Sequence, residues 1–103
     1  MNTRIQSIHF DADKKLLLFI EKKVEKMAQF SDDIIAVDVY LRLERVGDEA
    51  NKIAEMRVSI PGNDLFAKEQ CKTFEEATDL VIESLVRQLR RQKERQKQVF
   101  ATA

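Results

Sequence analysis

Two runs of strict alternation constrain this chain more than any other feature. In "IIAVDVYLRLER" the side chains of Ile35, Val37, Val39, Leu41 and Leu43 fall on one side of an extended strand, and Asp38, Tyr40, Arg42 and Glu44 on the other. "KIAEMRVSI" repeats the pattern with Ala54, Met56, Val58 and Ile60. A strand that is apolar on one face belongs to a sheet covered on one side and wet on the other. The cover must itself be amphipathic.

Two stretches with helical period supply it. In "DADKKLLLFIEKKVEKMAQF" the residues Leu16, Phe19, Ile20, Val24 and Met27 share a face, and Asp13 is the natural N-cap. Thr73 caps a longer helix, with Glu76 three residues on completing a capping box. Phe74, Ala77, Val81, Leu85 and Leu89 form its apolar stripe. "TRIQSIHF" reads as a short first strand in which Ile8 and Phe10 share one face and Ile5 takes the other unless a bulge intervenes. "VGDEAN" supplies turn chemistry around Gly47 and Asn51, Pro61–Gly62 breaks the second alternating run, and "NDLFAKEQCK" is a last strand through Leu65, Ala67 and Cys71.

The expected order is β-α-β-β-β-α: an α+β, two-layer sandwich of a four-stranded sheet with two helices packed on one face. The 103 residues suit one domain spanning 1–103. The aliphatic run Leu16–Ile20 is far short of the ~20 residues of a membrane span. The first ten residues lack the apolar core of a signal peptide. Cys71 is alone, so an internal disulfide is excluded and a reducing cytoplasm is the expected compartment.

Charge is balanced overall, with 18 basic and 18 acidic side chains, yet it is not spread evenly. Between Arg87 and Lys97 stand six basic residues (Arg87, Arg90, Arg91, Lys93, Arg95 and Lys97) and one acid. A helix dipole favours cations near its carboxyl end, and Glu75, Glu76, Asp79 and Glu83 at the opposite end fit that reading. The dipole acts mainly over the last turn, however, and this basic tail, roughly 87–98, covers about three. A helix from Phe74 to Lys97 is about 36 Å long and an eight-residue strand about 26 Å, so the helix overhangs its sheet by roughly 10 Å. Guanidinium and ammonium groups on such an overhang suit phosphates better than a core. Lys22, Lys23 and Lys26 lie on the exposed side of the first helix, and helices packed side by side would bring both basic sets to one groove. The expected RNA-binding residues are therefore Lys22, Lys23, Lys26, Arg87, Arg90, Arg91 and Lys93. No base-reading motif accompanies them, so recognition of a folded RNA by shape is what the residues alone support.

Other chemistry is sparse. His9, Asp11 and Asp13 could suggest a metal site, but capping explains them more simply, and no metal or cofactor is expected. Cys71 has neither a second Cys nor a nearby His and reads as a plain strand residue. Glu75, Glu76, Asp79 and Glu83 share a helix without a nucleophile or a glycine-rich loop, so no enzyme is expected. Tyr40, Arg42, Arg57 and Lys68 are placed on the open sheet face, where solvent is the simplest neighbour.

"DLVIESLVRQLRRQKER" (Asp79–Arg95) resembles the second-helix signature of the ribosome hibernation-promoting factor family, also called ribosome-associated inhibitor A or sigma-54 modulation proteins. The matching positions are Asp79, Leu85, Arg87-Gln88-Leu89, Arg91 and Lys93, with Leu16, Phe19, Lys23 and Lys26 fitting the first helix. Where the family often has Tyr, Ala and Ile ahead of the Asp, this chain has Glu75, Ala77 and Thr78. The resemblance implies a translation inhibitor that binds small-subunit ribosomal RNA in the mRNA and tRNA channel and stores idle ribosomes. Its implied partner is the small ribosomal subunit, with room for another ribosome-modulating protein, and no membrane or small-molecule substrate. Two alternatives stay open: a protein-interaction module modulating a transcription factor, and a generic double-stranded-RNA-binding domain.

Overall fold

A computed structural model of the chain describes residues 1–44 and 50–102, with side chains up to Arg95. The elements run β1 (Asn2–Ile8), α1 (Lys14–Ala28), β2 (Ala36–Leu43), β3 (Lys52–Ile60), β4 (Asn63–Cys71) and α2 (Phe74–Thr102). The sheet is mixed, in the order β1-β2-β3-β4, with β1 parallel to β2 and the other pairs antiparallel. This is the expected α+β architecture. A parallel pair needs a long crossover, and α1 provides it.

Each alternating run turns its apolar face to the helices. Val37, Val39 and Leu41 of β2 meet Ala54, Met56 and Val58 of β3 in one buried layer. Leu65 and Ala67 extend that layer through β4, and Ile20, Val24, Met27, Ala77, Val81, Leu85 and Leu89 cover it. Leu43, the last residue of β2, shares the face by periodicity but is exposed. Ile35 precedes the strand and is exposed, and its neighbour Ile34 is buried in the core in its place. Pro61 and Gly62 form the two-residue turn between β3 and β4, where Gly62 takes a φ of 79°, a left-handed conformation suited to glycine after proline. The turn expected around Gly47 lies outside the described residues.

The first strand corrects its sequence reading. It ends at Ile8, two residues early, and contains no bulge. Ile5 lies level with Val39 and packs on the core, while Ile8 lies level with Arg42 on the open face. His9, at a φ of 64°, then redirects the chain. That turn returns Phe10 to the interior, where its ring stacks on Phe74 with centroids 5.1 Å apart. Phe10 therefore reaches the core through the turn and not through strand periodicity.

The helix starts follow the expected caps. Asp13 accepts the Leu16 amide at 2.8 Å, and Thr73 Oγ1 accepts the Glu76 amide at 3.1 Å. Near the start of α2, Thr78 is fully buried and its hydroxyl has no hydrogen-bond partner.

Candidate nucleic-acid interface

The two helices lie side by side and run in the same direction. Their starts meet at the Phe10–Phe74 stack, Lys23 pairs with Asp79 at 3.0 Å, and Arg90 sits over Phe30. This common direction sets the charge pattern of the groove. Lys23 and Lys26 face the acidic opening half of α2, represented in the groove by Asp79 and Glu83. The basic half of α2 begins further along, near the end of α1 at Ala28. The lysines of α1 and the arginines of α2 thus form a graded surface along the groove between the helices.

Lys22 and Lys26 are exposed as expected, but Lys23 is half-buried. Besides its ion pair, its ammonium lies 5.4 Å from the centre of the Phe19 ring. Because both partners remain partly in water, the Lys23–Asp79 pair contributes little to stability. Its larger effect is to occupy one carboxylate that would otherwise oppose an anion.

Arg87, Arg90, Arg91, Lys93 and Arg95 are all exposed, and among the described residues none forms an ion pair. Arg90 instead places its guanidinium 5.3 Å from the centre of the Phe30 ring, and Lys93 lines a small cleft with Ser31 and Asp33. The last buried residue of α2 is Leu89 among those described, whereas the helix continues to Thr102. At ~1.5 Å per residue its 29 residues span about 43 Å, against about 30 Å for the nine residues of β3. The molecule is accordingly 54 Å long but only 24 Å by 19 Å across. The dipole explanation fails on position: the last turn of α2 contains no basic residue, and Arg87–Lys93 lie well before it.

The opposite face of the sheet has cations too, but they are largely neutralised. Arg4 pairs with Asp38 at 3.2 Å, while Arg42 and Lys68 both pair with Glu55. Arg57, beside Phe66 in the register, forms no ion pair among the described residues. Tyr40, Arg42, Arg57 and Lys68 lie on this face as the alternation indicates. The helix face therefore has the larger set of unpaired cations.

The remaining candidates have ordinary structural roles. Asp13 is occupied as a cap, and no group of three or more metal-ligating side chains converges among the described residues. Burial, aided by the carboxylates of Glu76 and Glu69, pushes the Cys71 thiol above its usual range, which keeps it protonated and a weak nucleophile. No helix among the described residues is long and apolar enough to cross a membrane. Phe30 is the site residue that sequence reasoning missed. Its signal was its place three residues after Met27, continuing the apolar face past the end of the helix.

Comparison with known proteins identifies the family and the fold. Residues 3–97 match the model of the family described as sigma 54 modulation protein / S30EA ribosomal protein. A ribosome hibernation promoting factor from Klebsiella oxytoca is 31% identical over 80 residues, covering 78% of this chain and 80% of that one. Among solved structures, a ribosomal subunit interface protein from Coxiella burnetii superposes with a TM-score of 0.81 at 21% identity, covering 91% of this chain and 99% of that one. The N-terminal domain of Thermus thermophilus Protein Y gives 0.74 at 22% identity, covering 88% of this chain and 98% of that one. The two structures share the fold, while the family model and the curated relative carry the kinship. The chain belongs to the sigma 54 modulation protein / S30EA ribosomal protein family.

Proposed function

We propose that this protein binds the small ribosomal subunit, lays the helix face against ribosomal RNA in the channel for mRNA and tRNA, and holds idle ribosomes out of translation. It works by binding and is not an enzyme. Lys22, Lys26, Arg87, Arg90, Arg91 and Lys93 contact phosphates, and Lys23 joins them after exchanging Asp79 for the RNA. The observation that carries this reading is the set of α2 cations that have no carboxylate partner and extend past the last buried residue, Leu89. An unpaired row of guanidinium and ammonium groups gains most from a phosphate backbone, because each contact releases a condensed counterion. The names of the relatives, a hibernation promoting factor and a ribosomal subunit interface protein, point to the same class of partner.

The test is pelleting with purified subunits. The protein should sediment with small subunits at low salt and far less with large ones, and small subunits preloaded with mRNA and tRNA should exclude it. Equal sedimentation with both subunits, or full binding to preloaded ones, would contradict the channel assignment.

A further inference from the structure

Phosphate binding explains the cations of the groove but not its floor. Between α1 and α2 lies a cleft of about 390 Å³ whose walls include Phe30, Ile82 and Val86 as well as Lys26 and Glu83. An apolar floor contributes nothing to holding a phosphate. Phe30 nonetheless keeps 39% of its surface exposed there, beneath the Arg90 guanidinium. Glu83 forms no ion pair among the described residues, and a free carboxylate repels a phosphate backbone. Both features suit a different part of a nucleotide. Aromatic rings and guanidinium planes stack on unpaired bases, and a carboxylate accepts a hydrogen bond from an exocyclic amino group such as cytosine N4.

We propose that this cleft receives one unstacked, amino-bearing nucleobase of single-stranded RNA, its ring lying against Phe30 and its amino group donating to Glu83. Lys26 and Arg90 hold the flanking phosphates. The size suits the role, since ligand pockets begin at about 300 Å³. The geometry also sets a preference: uracil would turn a carbonyl toward the Glu83 carboxylate, whereas cytosine turns a donor. The proposal rests on the helix face being the RNA-binding face and adds what that face reads.

The experiment uses fluorescently labelled oligomers of about six nucleotides, a length within the range of single-strand sites. These are oligocytidine, oligouridine and an abasic ribose-phosphate chain of equal charge. The protein should bind oligocytidine about tenfold more tightly than the abasic chain, the order of one aromatic stack, with oligouridine between them. Phe30→Leu keeps apolar bulk but removes the aromatic face, and it should bring oligocytidine down to the abasic level. Phe30→Trp should retain the tighter binding. In a chain with no other Trp, the introduced fluorescence should be quenched by oligocytidine and not by the abasic chain. Glu83→Gln should narrow the preference for oligocytidine over oligouridine to within about twofold.

Equal affinity for the abasic chain and oligocytidine would overturn the base site, as would a Phe30→Leu variant that preserves their difference. If both chains bind equally and with steep salt dependence, the phosphate-binding reading survives and the base site alone falls. If no oligomer binds, the base site falls and subunit pelleting decides the wider reading.

Discussion

Replacing Arg87, Arg90 and Arg91 together by Glu is expected to weaken binding to the small ribosomal subunit by at least ~100-fold, with the fold intact. Each substitution removes a charge-assisted hydrogen bond to phosphate, and such bonds contribute about 1.5–3 kcal/mol apiece. Each also places a carboxylate where an anion must approach. Three such changes, about 4.5 kcal/mol even at the low end, clear ~100-fold with room to spare, since 1.4 kcal/mol is a factor of ten. The fold should tolerate them because all three side chains are exposed and none forms an ion pair among the described residues. The intramolecular loss is chiefly the Arg90–Phe30 contact, about 0.5–1 kcal/mol at an exposed site. Subunit pelleting should show the loss while circular dichroism shows a native spectrum. A folded triple variant that still pellets would remove α2 from the interface.

The second large effect concerns stability. Thr78 occupies a fully buried position and its hydroxyl has no partner. An unsatisfied buried polar group costs about 1–3 kcal/mol, and replacing it by an apolar group of the same shape removes that cost. Thr78→Val is therefore expected to stabilise the protein by about 1–2 kcal/mol. For a domain of this size that raises the thermal midpoint by roughly 4–8 °C per kcal/mol. Both residues are β-branched with similar helix propensity, so the helix itself should be indifferent. Differential scanning calorimetry measures the shift, and an unchanged or lowered midpoint would mean that the hydroxyl is satisfied in solution.

How far the sequence carried the fold depended on whether local periodicity or distant packing decided each feature. The faces of β2 and β3 were legible because period-two alternation is set residue by residue, with Val39 and Met56 inward, Tyr40 and Arg57 outward. The caps at Asp13 and Thr73 were legible for the same reason, since a side chain three residues away makes the bond. Ile35 misled because the strand begins one residue later and Ile34 turns inward instead, and Leu43 because alternation does not say where the cover ends. The end of β1 misled because His9 leaves the extended region, which its residue type does not announce.

The candidate site divides in the same way. Arg87, Arg91 and Lys93 were found from one local run and are exposed as expected. Lys23 beside Asp79, and Arg90 over Phe30, depend on how the two helices align. That alignment follows from the parallel pairing of β1 and β2 around α1, which no segment encodes alone.

The central physical claim is that unpaired cations beyond the core of α2 meet RNA phosphates, and the salt dependence of small-subunit affinity tests it most directly. Log affinity should fall linearly with log salt at a slope of about −5 to −6, since each of the seven phosphate contacts contributes about −0.7 to −0.9. Arg91→Gln should make that slope shallower by about one. A slope near zero, or one that Arg91→Gln leaves unchanged, would contradict it.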